Sequence, residues 1–347
     1  MAPVFMRSTS YVGSLRCACP FLAQACLFLL LGLHGVGPWV LIGAMNSPLN
    51  ELRRLAASAQ NRRTETGIPR VSMVQGRIPE HALSGVYEPM INLILRGGKS
   101  MTVGANTLHY DPATYFVMTV DLPAVGAVHA DRDGNPYLAI ALTLDSTVIA
   151  DLLDDLSDSA QAVSPGPRAS ASFSVAAVTP ELMDAWVRML RLMEHPGDIP
   201  GLAPVYEREI LYRVLQGPHG SLLRDVATPD STLGRIRRSI QWIRENYAEP
   251  LRIGTLAELA AMSESAFHRH FKAATALSPL QYQKQLRLMQ ARQLLTSRGA
   301  SVTGAAIEVG YESTTQFSRE YARAFGLPPS RDAARILSER GRVGLPG

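Results

Sequence analysis

Two arginines fifty positions apart, Arg269 and Arg319, carry the most specific chemistry in this chain. A guanidinium presents a flat fork of donors that pairs bidentately with guanine O6 and N7, and a carboxamide such as Gln316 does the same with adenine N6 and N7. Around each arginine one pattern recurs: Phe267-x-Arg269-x-Phe271 and Phe317-x-Arg319-x-Tyr321, inside segments Ser263 to Pro279 and Ser313 to Pro329 that match in register. On a helix the two aromatics at i, i+4 share a face, and the arginine between them points elsewhere. Each segment therefore reads as a capped helix with an apolar back and an arginine-bearing front, closed by a Leu-x-Pro stop. Two such helices suit a protein that reads two adjacent pieces of DNA.

Those helices need others to hold them. Thr255 to Met262 precedes the first and Val302 to Tyr311 the second, each a short helix whose small residue (Ala260, Ala306) is expected where two helices approach closely. A helix, a short turn and a second helix make a helix-turn-helix. Gly310 supplies a left-handed residue for the second turn, whereas the first has Ala261-Met262 and must turn without glycine. Ser313-Thr-Thr-Gln316 has the form of a capping box, Ser263 is a cap alone, and a helix N-terminus held this way suits a phosphate. Between the units, Ser278-Pro279-Leu280 opens a helix whose apolar stripe (Leu286, Met289, Leu294, Leu295) runs to about Thr296. Such a connector is about 28 Å long, close to one duplex turn of roughly 34 Å.

The stretch from about Arg235 to Arg335 resembles the DNA-binding domain of the AraC/XylS family of bacterial transcription regulators. The residues that carry the resemblance are Ile240-x-x-Ile243 with Asn246-Tyr247, Leu256-x-x-Leu259-Ala260, Phe267-x-Arg269-x-Phe271-Lys272, Ser278-Pro279-x-x-Tyr282, Arg287, Ala291-x-x-Leu294-Leu295, Ala306-x-x-x-Gly310-Tyr311 and Phe317-Ser318-Arg319. The chain departs from the family pattern at Ala276, where glycine is usual, and at Arg331-Asp332, where an aromatic-Arg pair is common. The resemblance implies base contacts from Ser265, His268 and Arg269 in the first reading helix and from Thr314, Thr315, Gln316 and Arg319 in the second. Lys272, Arg292 and Arg323 are assigned to phosphates, which position a protein without specifying sequence. Double-stranded promoter DNA and RNA polymerase are the implied partners.

Charge is distributed accordingly. The net charge of +4 over 347 residues hides a basic region, 235–340, with sixteen Lys and Arg against nine Asp and Glu. Residues 46–234 carry fifteen against twenty-one. A localised basic face is the electrostatic footprint of a phosphate-backbone binder.

Length allows two domains, with a boundary expected near Gln216-Gly-Pro-His-Gly220. Short runs such as Met90 to Leu95, Thr114 to Val120 and Tyr137 to Leu144, separated by Gly97-Gly98, Asp111-Pro112 and Asp133-Gly134-Asn135-Pro136, predict a small β-barrel or sandwich. Helices follow from Ser146 to about Ser157, from Thr179-Pro180 onward and from Val205 to Leu215. This part is similar to the cupin-like N-terminal domain of one AraC branch, through Tyr87-Glu88-Pro89, Gly98-Lys99, Gly104, Tyr110-Asp111-Pro112, Asp121-Leu122-Pro123, Pro136-Tyr137-Leu138 and Leu144-Asp145. That likeness implies a barrel that senses a small-molecule effector or forms a homodimer. Lys99, His109 and Tyr110 are its candidate pocket residues.

Other classes fit poorly. His81, His109 and His129 are isolated from one another, and His268-x-His270 falls on a predicted helix, where i and i+2 point apart and cannot chelate one ion. No phosphate-cradling glycine loop or Gly-x-Ser-x-Gly elbow is present, so neither enzyme nor cofactor is expected. From Cys17 to Asn50 the chain has no charged residue, and Phe21 to Leu33 is nearly all apolar. That composition suits a signal h-region or short membrane helix, or an upstream in-frame extension of a protein starting at Met45.

The expected organisation is α+β: an apolar extension (1–45), a cupin-like β-barrel with helices for sensing or dimerisation (46–216), and an all-α DNA-binding domain (235–340) of two helix-turn-helix units joined by a long helix. The resemblance implies sequence-specific, cytoplasmic transcription regulation. The alternative is a membrane-tethered interaction protein whose basic domain docks on anionic surfaces.

Overall fold

The computed structural model describes residues 38–76, 84–112, 114–157, 171–297 and 299–343. The apolar stretch Phe21 to Leu33, the three cysteines and His81 lie outside the described residues. Helix α1 (Pro38–Leu55) is the first described element, and one compact unit begins at Pro48. No helix among the described residues is long and apolar enough to cross a membrane.

The strands are β1 (Thr64–Glu65), β2 (Val71–Gly76), β3 (Ser84–Tyr87), β4 (Met90–Arg96), β5 (Gly98–Val103), β6 (Asn106–Tyr110), β7 (Thr114–Met118), β8 (Leu122–His129), β9 (Tyr137–Thr143) and β10 (Phe173–Ala177). They form two antiparallel sheets, ordered β1-β2-β9-β4-β7-β10 and β3-β8-β5-β6. The turn signals read from sequence sit between them, with Gly97 and Gly134 at positive φ. Ile94, Phe116, Met118 and Ala139 of the larger sheet share one apolar cluster with Met101, Val103, Leu122 and Ala124 of the smaller. The larger sheet is covered on its other face too, since Ile91, Leu93, Val117, Leu138 and Ile140 are also buried. Burial on both faces explains why Met90-Ile-Asn-Leu-Ile-Leu is a nearly continuous apolar run instead of an alternating one. Its one polar member, buried Asn92, donates to the Ile140 carbonyl at 3.1 Å.

Helices pack around and after the barrel: α2 (Ser146–Ser157), α3 (Pro180–Arg191), α4 (Ile199–Gln216) and α5 (Gly220–Ala227). Thr179 caps α3, accepting from Leu182 N at 3.2 Å, with Pro180 at the first helical position as its sequence predicts. The chain then becomes all-α: α6 (Thr232–Glu245), α7 (Ile253–Leu259), α8 (Glu264–Thr275), α9 (Pro279–Ser297), α10 (Val302–Glu308), α11 (Thr314–Phe325) and α12 (Pro329–Val343). The fold is therefore α+β, a two-sheet barrel with helices followed by two helix-turn-helix units joined by the long helix α9. The barrel cluster continues without a break into the first unit, taking in Ile236, Ile240, Leu256, Phe267, Phe271 and Tyr282. The second unit has a separate cluster that includes Leu288, Ala291, Leu295, Ala306, Phe317 and Tyr321.

Candidate nucleic-acid interface

Each reading helix starts on a serine. Ser263 Oγ accepts from Ala266 N and Ser313 Oγ from Gln316 N, both at 3.3 Å. The expected capping box at Ser313 is not reciprocal: the Gln316 carboxamide donates along its own helix to Glu320 Oε1 at 3.4 Å, so Ser313 caps alone, as Ser263 does. Turn hydrogen bonds align the two units. Met262 N donates to Ala257 O and Tyr311 N to Ala306 O, each at 2.9 Å. Ala257, not Ala260, is therefore the counterpart of Ala306. The spacing of 49 there, against 50 along the reading helices, reflects a second turn longer by one residue. Gly310 takes φ +85°, and Ala261 and Ala276 adopt the left-handed region at +48° and +59° without glycine's freedom. Each alanine costs roughly 1–2 kcal/mol there.

The aromatic backs are buried. Phe267 lies 5.4 Å from Phe271, which meets Tyr282 edge-on at 5.6 Å. In the second unit Tyr311, Phe317, Tyr321 and Phe325 form a chain of rings at 5.2, 5.5 and 4.7 Å. With the backs fixed, Ser265, His268, Arg269 and Lys272 are exposed on α8, and Thr315, Gln316, Arg319 and Arg323 on α11, with Thr314 half-buried. These side chains lie on the solvent-exposed sides of their helices, away from the buried aromatic backs.

Arg292 does not belong with them. Expected at a phosphate, it is 7 % exposed and pairs with fully buried Asp332, Nε to Oδ2 at 2.9 Å and Nη2 to Oδ1 at 3.2 Å. Its guanidinium stacks over the Phe325 ring at 4.2 Å. Arg335 and the Tyr321 hydroxyl complete the carboxylate's shell at 2.7 and 3.0 Å. Burial pushes the Asp332 carboxyl up, but the hydrogen bonds from Arg335 and Arg292 outweigh it and hold the acid below its ordinary range. Asp332 occupies the position where the chain departs from its family pattern, and it anchors α12 to α9 and α11.

Two polar residues of α9 set the units relative to each other. Arg287 donates from Nε to Tyr247 O at 2.6 Å, from Nη1 to Gly310 O at 2.9 Å, and from Nη2 to Ala248 O and Glu249 O at 2.9 and 3.0 Å. Gln283, one turn earlier, donates to Tyr247 O and Glu249 O at 3.0 and 2.7 Å. The segment after α6 is thereby tied to the turn of the second unit. Gly310 also fits tightly there, since a Cβ on it would stand 2.0 Å from Ala248 O. The motif contains Arg287, but its role was not readable; a polar pair at i, i+4 flanking the apolar stripe is the sequence signal. Lys284 adds an ion pair to Glu320 of α11 at 3.1 Å.

Among the described residues, the barrel holds the first unit and the start of α9. Arg244 of α6 pairs with Asp121, and Tyr282 Oη donates to Asp121 O at 2.8 Å. Ser172 Oγ donates to Ala274 O at 2.7 Å, near the end of α8. Gly104, in the β5–β6 turn, abuts the cap of α8: a Cβ on it would lie 2.8 Å from Ala276 O. Of the three candidate pocket residues, Lys99 and Tyr110 point into the barrel, 7 % and 4 % exposed, while His109 is exposed. His109 neighbours Tyr110 on β6, and the period-2 alternation of a strand places them on opposite faces.

Comparison with known proteins follows the same division. A model of the AraC-type transcriptional regulator N-terminus matches residues 67–222, and a helix-turn-helix domain model matches 256–335. The HTH-type transcriptional activator RhaS of Salmonella paratyphi A is 32% identical over 144 residues, covering 41% of this chain and 51% of its own length. RhaS of Escherichia coli strain SE11 is 31% identical over 146 residues, 41% of this chain and 50% of its own. The chain thus spans about half the length of the curated relatives it matches. Among solved structures, ToxT from Vibrio cholerae O395 superposes with a TM-score of 0.51 at 9% identity, covering 76% of this chain and 98% of that one, a likeness of fold.

Proposed function

This chain belongs to the AraC/XylS family of transcription regulators, and on that premise we propose that it controls bacterial promoters by gripping double-stranded DNA with both helix-turn-helix units. The observation that carries the reading is the repeated exposed arginine: Arg269 and Arg319 stand at the same place on two serine-capped helices with buried aromatic backs. The 19 residues of α9 span about 28 Å, so the two helices enter successive major grooves on one side of the duplex. Arg269, Arg319 and Gln316 read base edges with Ser265, His268, Thr314 and Thr315, while Lys272 and Arg323 hold phosphates. Residues 46–216 act as the sensing and dimerisation domain and 235–340 as the reading domain. The protein works in the cytoplasm, recruits RNA polymerase and responds to a small effector in the barrel.

Footprinting tests this reading. One molecule is expected to protect a bipartite, non-palindromic site of roughly 20 bp with half-sites about 10 bp apart. Arg319→Ala should weaken binding to that site by roughly 1–3 kcal/mol and leave random DNA nearly unaffected. A protein that docks on anionic surfaces would instead show steep salt dependence with no discrimination between sequences.

A further inference from the structure

Glu320 ties one base-reading side chain to the frame of the second unit. It lies one turn after Gln316 on α11. Its Oε2 accepts from the Tyr311 hydroxyl at 2.9 Å, and its Oε1 from Lys284 Nζ of α9 at 3.1 Å and from Gln316 Nε2 at 3.4 Å. Tyr311 is itself buried, its ring edge-on to Phe317 at 5.2 Å. The carboxylate is therefore held at once from the turn, the connecting helix and the reading helix. Burial pushes the Glu320 carboxyl up, but the hydrogen bonds from Tyr311, Lys284 and Gln316 outweigh it and hold the acid below its ordinary range, ionised at neutral pH. In the first unit Met262 stands where Tyr311 does, Ala266 where Gln316 does and His270 where Glu320 does. Since α7 and α8 make the same helix-turn-helix without a phenol, a carboxamide or a carboxylate at these places, the scaffold does not require the three groups.

An ionised carboxylate carries no hydrogen and can only accept. The end of the Gln316 carboxamide turned to Glu320 is thus the nitrogen, and the flipped orientation would set oxygen against oxygen. That nitrogen has two hydrogens: with the one trans to the carbonyl directed at Glu320, the one cis to it shares a free edge with Oε1. The free edge offers one donor and one acceptor. Adenine presents the complement, an acceptor at N7 and a donor at N6, whereas guanine presents acceptors at both N7 and O6. A glutamine bonded to a mobile partner at i+4 gains little from it, but Glu320 is already ordered by Tyr311 and Lys284, so Gln316 meets a base with less freedom to lose. We propose that Glu320 is a positioning residue for sequence readout: it fixes the orientation of Gln316, so that the second unit selects adenine over guanine at the base Gln316 meets. This rests on the reading of α11 as a DNA-reading helix, and it assigns the preference at one position of the site.

Selection of duplexes from a random-sequence library with the full chain gives the preferred site, and titration of duplexes carrying each base at each position measures discrimination. Gln316→Ala identifies the position that Gln316 reads, where the parent should prefer adenine over guanine by about tenfold or more. Glu320→Gln keeps the size and shape but can turn either oxygen or nitrogen to Gln316. It should reduce that preference to within about threefold and change discrimination at every other position by less than about twofold. Tyr311→Phe, which removes one of the donors that fix Glu320, should lower the same preference by a smaller factor. In the Gln316→Ala background Glu320→Gln should change nothing at that position, because a residue that acts through Gln316 has no effect without it. A mere brace for α11 would instead weaken affinity for every sequence alike, in either background. That pattern overturns the proposal, as does an undiminished adenine preference in Glu320→Gln, or a parent in which no position depends on Gln316 or the one that does fails to favour adenine. A parent that selects no sequence at all removes the regulator reading, whereas a parent that selects a bipartite site and then gives one of these outcomes removes this proposal alone.

Discussion

Replacing Arg287 by methionine tests how the two reading units are held in register. The side chain makes four hydrogen bonds to carbonyl oxygens, of Tyr247, Ala248, Glu249 and Gly310. Gln283 continues to serve Tyr247 O and Glu249 O, so the methionine variant strands chiefly Ala248 O and Gly310 O. Hydrogen bonds to a charged donor contribute about 1.5–3 kcal/mol each, and partial access to water lowers that, so the loss is about 2–4 kcal/mol of stability. Ala248 belongs to the first unit and Gly310 to the second, so the damage falls on their mutual placement. Affinity for a bipartite site depends on both helices arriving together, and loosening one against the other lowers the effective concentration of the second contact. Urea unfolding should report the stability loss, and titration of the full site against each half-site should show the full site losing affinity by a larger factor. Arg287→Lys, with one point of charge in place of a fork, should fall between. Equal loss on full and half-sites, or a stability change below about 0.5 kcal/mol, would mean that α9 alone sets the spacing.

Arg292→Met should destabilise by roughly 3–5 kcal/mol, because it leaves the fully buried Asp332 carboxylate without its main partner, and the salt slope of DNA binding should not change. A reduced slope would return Arg292 to the phosphate backbone. Phe267→Ala and Phe317→Ala should each cost roughly 3–5 kcal/mol, read by chemical denaturation, since both rings are fully buried. His219 is buried against the edge of Tyr115, and burial lowers it from 6.5 to about 4. The unfolded chain therefore takes up a proton between those values that the folded chain does not, and stability should fall as pH drops through that window. Melting curves of His219→Leu should be flatter with pH over the same range.

Local features were legible in the sequence, and long-range ones were not. The reading helices, their serine caps and their aromatic backs follow from the 3.6-residue period and from cap chemistry, both contained within one turn or two. The barrel strands were legible from turn residues, although their burial on both faces depends on what covers the larger sheet. Arg292 misled because its partner lies forty positions away. By spacing alone it belonged with the surface arginines. Strand parity separates His109 from Tyr110 on β6, but which of the two faces the interior is set by how the sheets pack. Ala260 stood in for Ala257 because Ala257, Ala260 and Ala261 are all small, and which of them aligns with Ala306 is fixed only when the turn hydrogen bonds are traced.

Among the described residues, one apolar cluster joins the barrel to the first helix-turn-helix unit and another holds the second unit. Their border runs between the two helix-turn-helix units, not between barrel and reading domain. Cooperativity follows shared burial, so the barrel and the first unit should open as one block while the second opens at lower free energy. In native-state hydrogen exchange, amides of α10 and α11 should lose protection together, ahead of those in α8, even though the two units carry nearly the same sequence pattern. The partial unfolding that this allows would leave a molecule still folded at its barrel, with only the first of its two helix-turn-helix units intact.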